Sequence, residues 1–338
     1  MKNRRLIFIV LLGIFIILLG PRLVGLEESI LLLRQANFFW VLLILASLGL
    51  LYISAAQLNR NILSKIGPKL PFLDNFRLAL VGVFAIHLLP VGSLGGATLE
   101  WWFLKKRKFN SGQILLAFVL RTIYVYLSFA LIFLVSAILI NPETNLDAKE
   151  RLVLYTIVFI AVAVFGYLVY MYKFEKLYFK RFHQLVGVYN FFRKLFKHSR
   201  IESAKIEATA QEIYHNAHQF TRDWRASVPI FYWGILYWIG DILCLYFALR
   251  SFGYSVDPTV LLFSYTVSTV LAMASFIPGG VGVMEASLSI IMISLGVPSA
   301  IAIISVLLYR LFAFWLLIPL GGWAFNSLRS GKKVDLVD

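Results

Sequence analysis

The sequence predicts an all-α, polytopic transmembrane helical bundle with two oppositely oriented re-entrant, broken-helix hairpins in an inverted repeat. Three observations carry that expectation. Of the 338 residues, 60% are apolar and only 14% are charged, whereas roughly a quarter of an ordinary water-facing domain is charged. The apolar residues fall into long runs separated by short basic or acidic loops, as a bilayer requires. Two of those runs are broken in the middle by proline and glycine, with matching residues on either side.

Taken in order, full spans are expected at Leu6–Val24, Phe38–Leu58, Gln113–Ile140, Leu152–Tyr172, Val228–Leu249 and Ser299–Phe325, each near or above the ~20 residues a crossing helix needs. The start, Met1–Arg5 followed by an apolar run, is built like a signal peptide but has no small-x-small site before Pro21-Arg22; it reads as an uncleaved first span. The lone cysteine, Cys244, lies inside an apolar run and excludes a disulfide framework or a cysteine metal site.

Lysine and arginine near helix ends are held on the cytoplasmic side, and here they alternate loop by loop. The N-terminus, the Asn59–Arg77 loop, Lys105–Lys108, the 173–227 segment and the C-terminal tail carry 25 of the 32 basic residues. Between them, Glu27, Glu28, Glu143, Asp147, Glu150 and Asp257 stand against Arg34, Lys149, Arg151 and Arg250. Both termini are therefore expected in the cytoplasm, the chain lying in the cytoplasmic (inner) membrane.

The run Phe76–Leu104 is interrupted by LPVGSLGG, Leu88–Gly95, with Gly96 next, and basic residues flank it on both sides. It must enter and leave from the cytoplasm, and its arms of ~14 and ~9 residues would reach only ~21 and ~14 Å, which suits a re-entrant hairpin. The run Thr259–Leu295 is interrupted by IPGGVG, Ile277–Gly282, and both its ends must be external. Its first arm, Thr259–Ile277, is long enough to leave a pair of full spans open. The two regions match: Pro90, Gly92, Gly95, Gly96 and Glu100 precede a helix with Arg121, and Pro278, Gly279, Gly280, Gly282 and Glu285 precede a helix with Arg310, at Glu-to-Arg spacings of 21 and 25. Paired broken segments of opposite sense mark inverted-repeat transporters, whose freed backbone groups face a ligand near the midplane. Simple kinking or close packing of helices is the competing account. One integral membrane domain, 1–338, would thus hold repeat 1 at about 76–140, a cytoplasmic amphipathic segment at 173–227 and repeat 2 at about 259–325.

Ionisable groups inside the apolar runs are costly and should face one another or a wet cavity. Arg121, Asp241, Arg310, Glu100 and Glu285 are the candidates for substrate binding, with the prolines and glycines of the two breaks. Arg310, about a dozen residues into its helix, is placed to clamp a phosphate; the alternative is burial as a packing pair with Glu285 or Asp241. Arg121 is expected to snorkel or to bind. Glu285 sits where a carboxylate would cap a helix, or exchange a proton or cation during transport. The 173–227 segment, net charge +6 and rich in aromatics, reads as a helix on the anionic leaflet and not as a nucleic-acid site. Glu212, His215 and His218 read as a solvated face, and His87 carries no assigned role.

The string SFIPGGVGVMEASLSIIMISLGVPSAIAIISVLLYRLFAFWLLIPLGG, Ser275–Gly322, resembles the lysylphosphatidylglycerol synthase transmembrane-domain family, also called flippase-like membrane proteins. Its proline-glycine turn, glutamate, Leu-Gly-Val and later arginine follow the family pattern. In the first repeat, LGGATLEWW and Leu120-Arg121 stand where that pattern has an Arg-Leu/Ile-Gly-Asp type element and a Glu-Arg pair. The resemblance implies a role in moving lipids with charged or glycosylated headgroups between leaflets, without the soluble aminoacyl-transferase domain to which the family is sometimes fused.

The expected function is therefore a lipid translocase for an anionic or phosphate-linked (glyco)lipid. Anionic membrane lipids would be its partners, with a proton or cation as the coupling ion if transport is driven; a homo-oligomer is left open. No G-x-S-x-G, P-loop, H-E-x-x-H or EF-hand pattern occurs, so no cofactor, metal or enzymatic activity is expected. The rival is a membrane-embedded transferase acting on a lipid headgroup or polyprenyl-phosphate sugar, with Glu100, Glu285 and Asp241 as acid-base groups. A non-transporting partner subunit is a third reading.

Overall fold

The computed structural model describes residues 36–88, 93–139, 224–275 and 277–330, with single positions at 156, 179, 184, 211 and 214. The span expected at Leu6–Val24, all of Leu152–Tyr172 but position 156, nearly all of the 173–227 segment with Glu212, His215 and His218, the side chain of His87, and Pro90 and Gly92 lie outside the described residues.

The described residues are helical, without strands. Helix α1 is Phe38–Ile66, α2 Phe72–Leu88, α3 Ser93–Lys106, α4 Ser111–Leu139, α5 Trp224–Ser251 and α6 Pro258–Ala274. A 3-10 turn at Pro278–Gly280 leads to α7, Val283–Ser294, then α8, Ser299–Arg310, which runs through a π turn at Leu311–Trp315 into α9, Leu317–Ser330. Four helices in this set are long and apolar enough to cross a bilayer: Phe38–Ile66, Ser111–Leu139, Ser227–Ser251 and the combined Ser299–Leu328. They coincide with four of the expected spans, and α1 runs eight residues further than expected, to Ile66, carrying Arg60 and Lys65.

α1 and α5 form the most extensive helix pair. Gly240 allows it, because a Cβ there would stand 2.8 Å from the Leu51 backbone nitrogen, and small residues let membrane helices approach this closely. The Asn37 N–H donates to the Ser251 carbonyl at 2.8 Å, tying the start of α1 to the end of α5, so the two run antiparallel. Buried apolar side chains form two cores. One gathers Leu58, Ile62, Leu78, Leu104, Ile114 and Leu120 from α1 to α4; the other gathers Ile44, Leu245, Leu261, Leu288, Met292 and Val306, mostly from α5 to α8.

Each core holds one short helix pair. α2 and α3 have 17 and 14 residues, about 25 and 21 Å, both longer than the expected arms. α2 starts earlier, with Asp74 in its first turn, where the helix dipole favours a carboxylate and where Arg107, just past α3, reaches it at 2.8 Å. α3 resumes already at Ser93, which corrects the expected break: Gly95 and Gly96 are helical. Gly67, before α2, lies against the Phe109 ring, after α3, so the pair begins and ends at one end of the molecule. α6 and α7 have 17 and 12 residues, about 25 and 18 Å, both shorter than a hydrocarbon core of about 30 Å. The Asp257 side chain starts α6 by accepting the Thr259 N–H at 2.7 Å, and Pro258 occupies the first helical position. The turn between α6 and α7 reaches across to α2, and α9 packs along α2; the second pair thereby touches the first helix of the first pair.

Candidate functional site

The second break begins where Pro278 ends the extended run from Ile277. Gly279 and Gly280 turn the chain at φ 62° and 61°, and Gly282, at φ 85°, caps α7. These are left-handed conformations that glycine adopts without strain. At Gly280 a side chain is excluded twice over, since a Cβ would also stand 2.7 Å from the Ala272 Cβ.

Glu285 lies in the first turn of α7 and uses both oxygens. Its Oε2 accepts the Gly282 backbone N–H at 2.7 Å, half of a capping box. Its Oε1 accepts from Arg310 Nε at 2.6 Å. The Arg310 Nη2 donates to the Gly279 carbonyl at 2.9 Å, and the guanidinium lies over the Phe314 ring at 4.4 Å. One cation thus joins the turn, the positive end of α7 and α8, with its side chain only 9% exposed. Nη1 takes no part in these three contacts. Arg310 is the last α-helical residue before the π turn, in which the Leu316 N–H returns to the Leu311 carbonyl at 2.9 Å; such widened turns recur at functional sites.

The first repeat closes differently. Glu100, buried in α3, and Arg121, in α4, make two parallel bonds, Nη1 to Oε1 at 2.8 Å and Nη2 to Oε2 at 2.7 Å. Arg121 Nη1 also donates to Asn59 Oδ1 of α1 at 3.2 Å. Three helices are pinned by one guanidinium in a fork-to-fork pair. Arg121 is therefore held by Glu100 and Asn59. Both glutamate–arginine spacings seen in the sequence close into ion pairs, but the pairs differ in chemistry. Glu100 gives both oxygens to its arginine; Glu285 divides itself between an arginine and a helix N-terminus.

Asp241, in α5, is not the partner of Arg310. Its Oδ2 accepts from the Tyr265 hydroxyl of α6 at 2.6 Å and its Oδ1 from the Tyr309 hydroxyl of α8 at 3.1 Å. Tyr265 and Tyr309, with Asn59, are the members of these clusters that sequence reasoning missed. The one signal for them was Tyr309's place beside Arg310 in VLLYRLF. Among the described residues no hydrogen bond joins the two glutamate–arginine pairs, and no group of histidine, cysteine and carboxylates could hold a metal ion.

Four apolar helices long enough to cross a bilayer among the described residues, with a Pro/Gly turn at Pro278–Gly280 and two glutamate–arginine pairs between helices, define a multi-pass α-helical membrane protein. The chain belongs to the lysylphosphatidylglycerol synthase TM region family, whose model matches residues 6–321. The resemblance read over Ser275–Gly322 thus extends to nearly the whole chain. A UPF0104 membrane protein of Pyrococcus horikoshii is 26% identical over 321 residues, covering 93% of this chain and 94% of the relative. A UPF0104 membrane protein of Methanothermobacter thermautotrophicus is 22% identical over 352 aligned residues, covering 100% and 99%.

Proposed function

We propose that the protein moves a lipid with an anionic or phosphate-bearing headgroup between leaflets, through a midplane site at the second break. One observation carries this reading: the Glu285 carboxylate occupies an anion position built by the α7 N-terminus and the Arg310 guanidinium. A headgroup phosphate offers the same oxygen acceptors, and backbone N–H groups at a helix start are ready donors for it. Glu285 acts as a resident stand-in that an incoming phosphate displaces. In this reading the two short helix pairs are re-entrant and enter from opposite faces, forming an inverted repeat, because each is too short to cross comfortably and each packs into its own core. The Glu100–Arg121 pair, joined by two parallel bonds, holds the scaffold against which the second pair moves.

The test is leaflet exchange of a fluorescent anionic lipid in vesicles carrying the purified protein, read by quenching from one side. Exchange faster than in protein-free vesicles, with the headgroup chemically unchanged, is the expected result. Unaccelerated exchange contradicts the reading, and headgroup turnover by the purified protein replaces it with the transferase.

A further inference from the structure

We infer that Asp241, with Tyr265 and Tyr309, is a proton-binding site inside the membrane, separate from the lipid site and read by it through Arg310. This rests on the proposed lipid site only for its purpose, not for its chemistry.

The comparison with the carboxylates of the two glutamate–arginine pairs makes the case. Glu100 and Glu285 each hold an arginine, at 2.7 and 2.6 Å, and a proton added to either would break a buried ion pair, which is expensive. Asp241 has no lysine, arginine or histidine within ion-pair distance among the described residues; its partners are two phenols. A phenol both donates and accepts. When a proton from water joins an Asp241 oxygen, the carboxyl can donate to one tyrosine oxygen while that hydroxyl turns its own hydrogen away. The network gains a proton without leaving an orphaned charge.

A second observation lies beside it. The hydroxyls of Ser264, Ser268 and Ser305 are buried and make no hydrogen bond. Unpaired buried hydroxyls are uncommon, and an ordered water is a usual partner for such groups. Ser264 flanks Tyr265 on α6, with Ser268 one turn along the same face. Ser305 is one turn before Tyr309 on α8, and helical side chains lean towards their own N-terminus, which lays the Tyr309 phenol over the Ser305 turn. In this proposal Ser305, on the same face as Tyr309, accepts the hydrogen that this tyrosine turns away.

The ionisable groups that sense Asp241 from its surroundings are Tyr52 of α1, Tyr237 and Cys244 of α5 itself, Tyr265 of α6, and Tyr309 and Arg310 of α8. Tyr126 of α4 reaches Tyr237 behind them. Arg310 is the one cation in that set, and it is already committed to Glu285. Neutralising Asp241 withdraws a negative charge from the neighbourhood of Arg310 and strengthens the hold of the remaining anion, whether Glu285 or a headgroup. Protonation and lipid capture are thereby coupled.

The experiment is an infrared pH titration of the full chain in lipid nanodiscs, following the C=O stretch of protonated carboxyls; it needs no lipid movement and stands whatever the fate of the translocase reading. The wild type is expected to gain a buried-carboxyl band as pH falls, Asp241→Asn to lose that band, and Glu285→Gln to keep it. Tyr309→Phe, which preserves the carboxyl but removes one donor to its ionised form, should move the midpoint to higher pH. A band that survives in Asp241→Asn, or that vanishes in Glu285→Gln, overturns the assignment. Should Asp241→Asn fail to fold, an unmoved midpoint in Tyr309→Phe overturns it alone.

Discussion

Arg310→Ala is expected to slow leaflet exchange of an anionic lipid by roughly 10- to 100-fold, the equivalent of one or two lost charge-assisted hydrogen bonds. The guanidinium makes bonds to Glu285 and Gly279 while stacked on Phe314, so its removal takes away the cation that receives a phosphate and the strut that holds the turn. Gly282 still donates to Glu285, and α7 keeps its cap. Arg310→Lys should recover only part of the rate, because a point ammonium cannot match the planar fork that serves a carboxylate and a carbonyl at once. The check is exchange measured at equal amounts of folded protein. Undiminished exchange in Arg310→Ala removes this residue from the site.

Glu100→Gln is expected to destabilise the protein by about 3–5 kcal/mol, the usual penalty for leaving a buried charge without its partner. Arg121 would keep the amide oxygens of the new glutamine and of Asn59, the latter at 3.2 Å, but lose its counter-charge and face an NH2 donor in place of the second carboxylate oxygen. Arg121→Gln should cost a similar amount, and the double variant less than the sum, since the two residues form one unit. Thermal or denaturant midpoints in detergent give the comparison. Losses below about 0.5 kcal/mol for both single variants would mean that the pair does not hold α1, α3 and α4 together. The contrast with Arg310 is informative: the first pair should govern stability, the second exchange.

Much of this was legible in the sequence because the bilayer imposes simple arithmetic. Four long apolar runs became four long helices, and the IPGGVG break became a turn at Pro278–Gly280 with Gly282 as the cap. The Glu-to-Arg spacing in each repeat was visible as a pattern, and charges in hydrocarbon must find partners. Gly95 and Gly96 were misplaced in the break because a glycine costs a helix only about 1 kcal/mol, too little to end one whose backbone has no water to bond with instead. The π turn after Arg310 leaves no mark in composition. Asp241's partners lie 24 and 68 positions away on other helices, and nothing local distinguishes Tyr265 or Tyr309 from tyrosines that merely pack. Asn59 was hidden for the same reason, 62 positions from Arg121.

The account stands on two short helix pairs entering the membrane from opposite faces. Single cysteines at the exposed positions Lys69, Lys105, Ser255 and Ser299, in a Cys244→Ser background, can be labelled with an impermeant maleimide in vesicles of known orientation. The account predicts that positions 69 and 105 react together from the cytoplasmic face and that 255 and 299 react together from the other. Reaction of 69 and 105 from different faces, or of 255 and 299 from different faces, would contradict it.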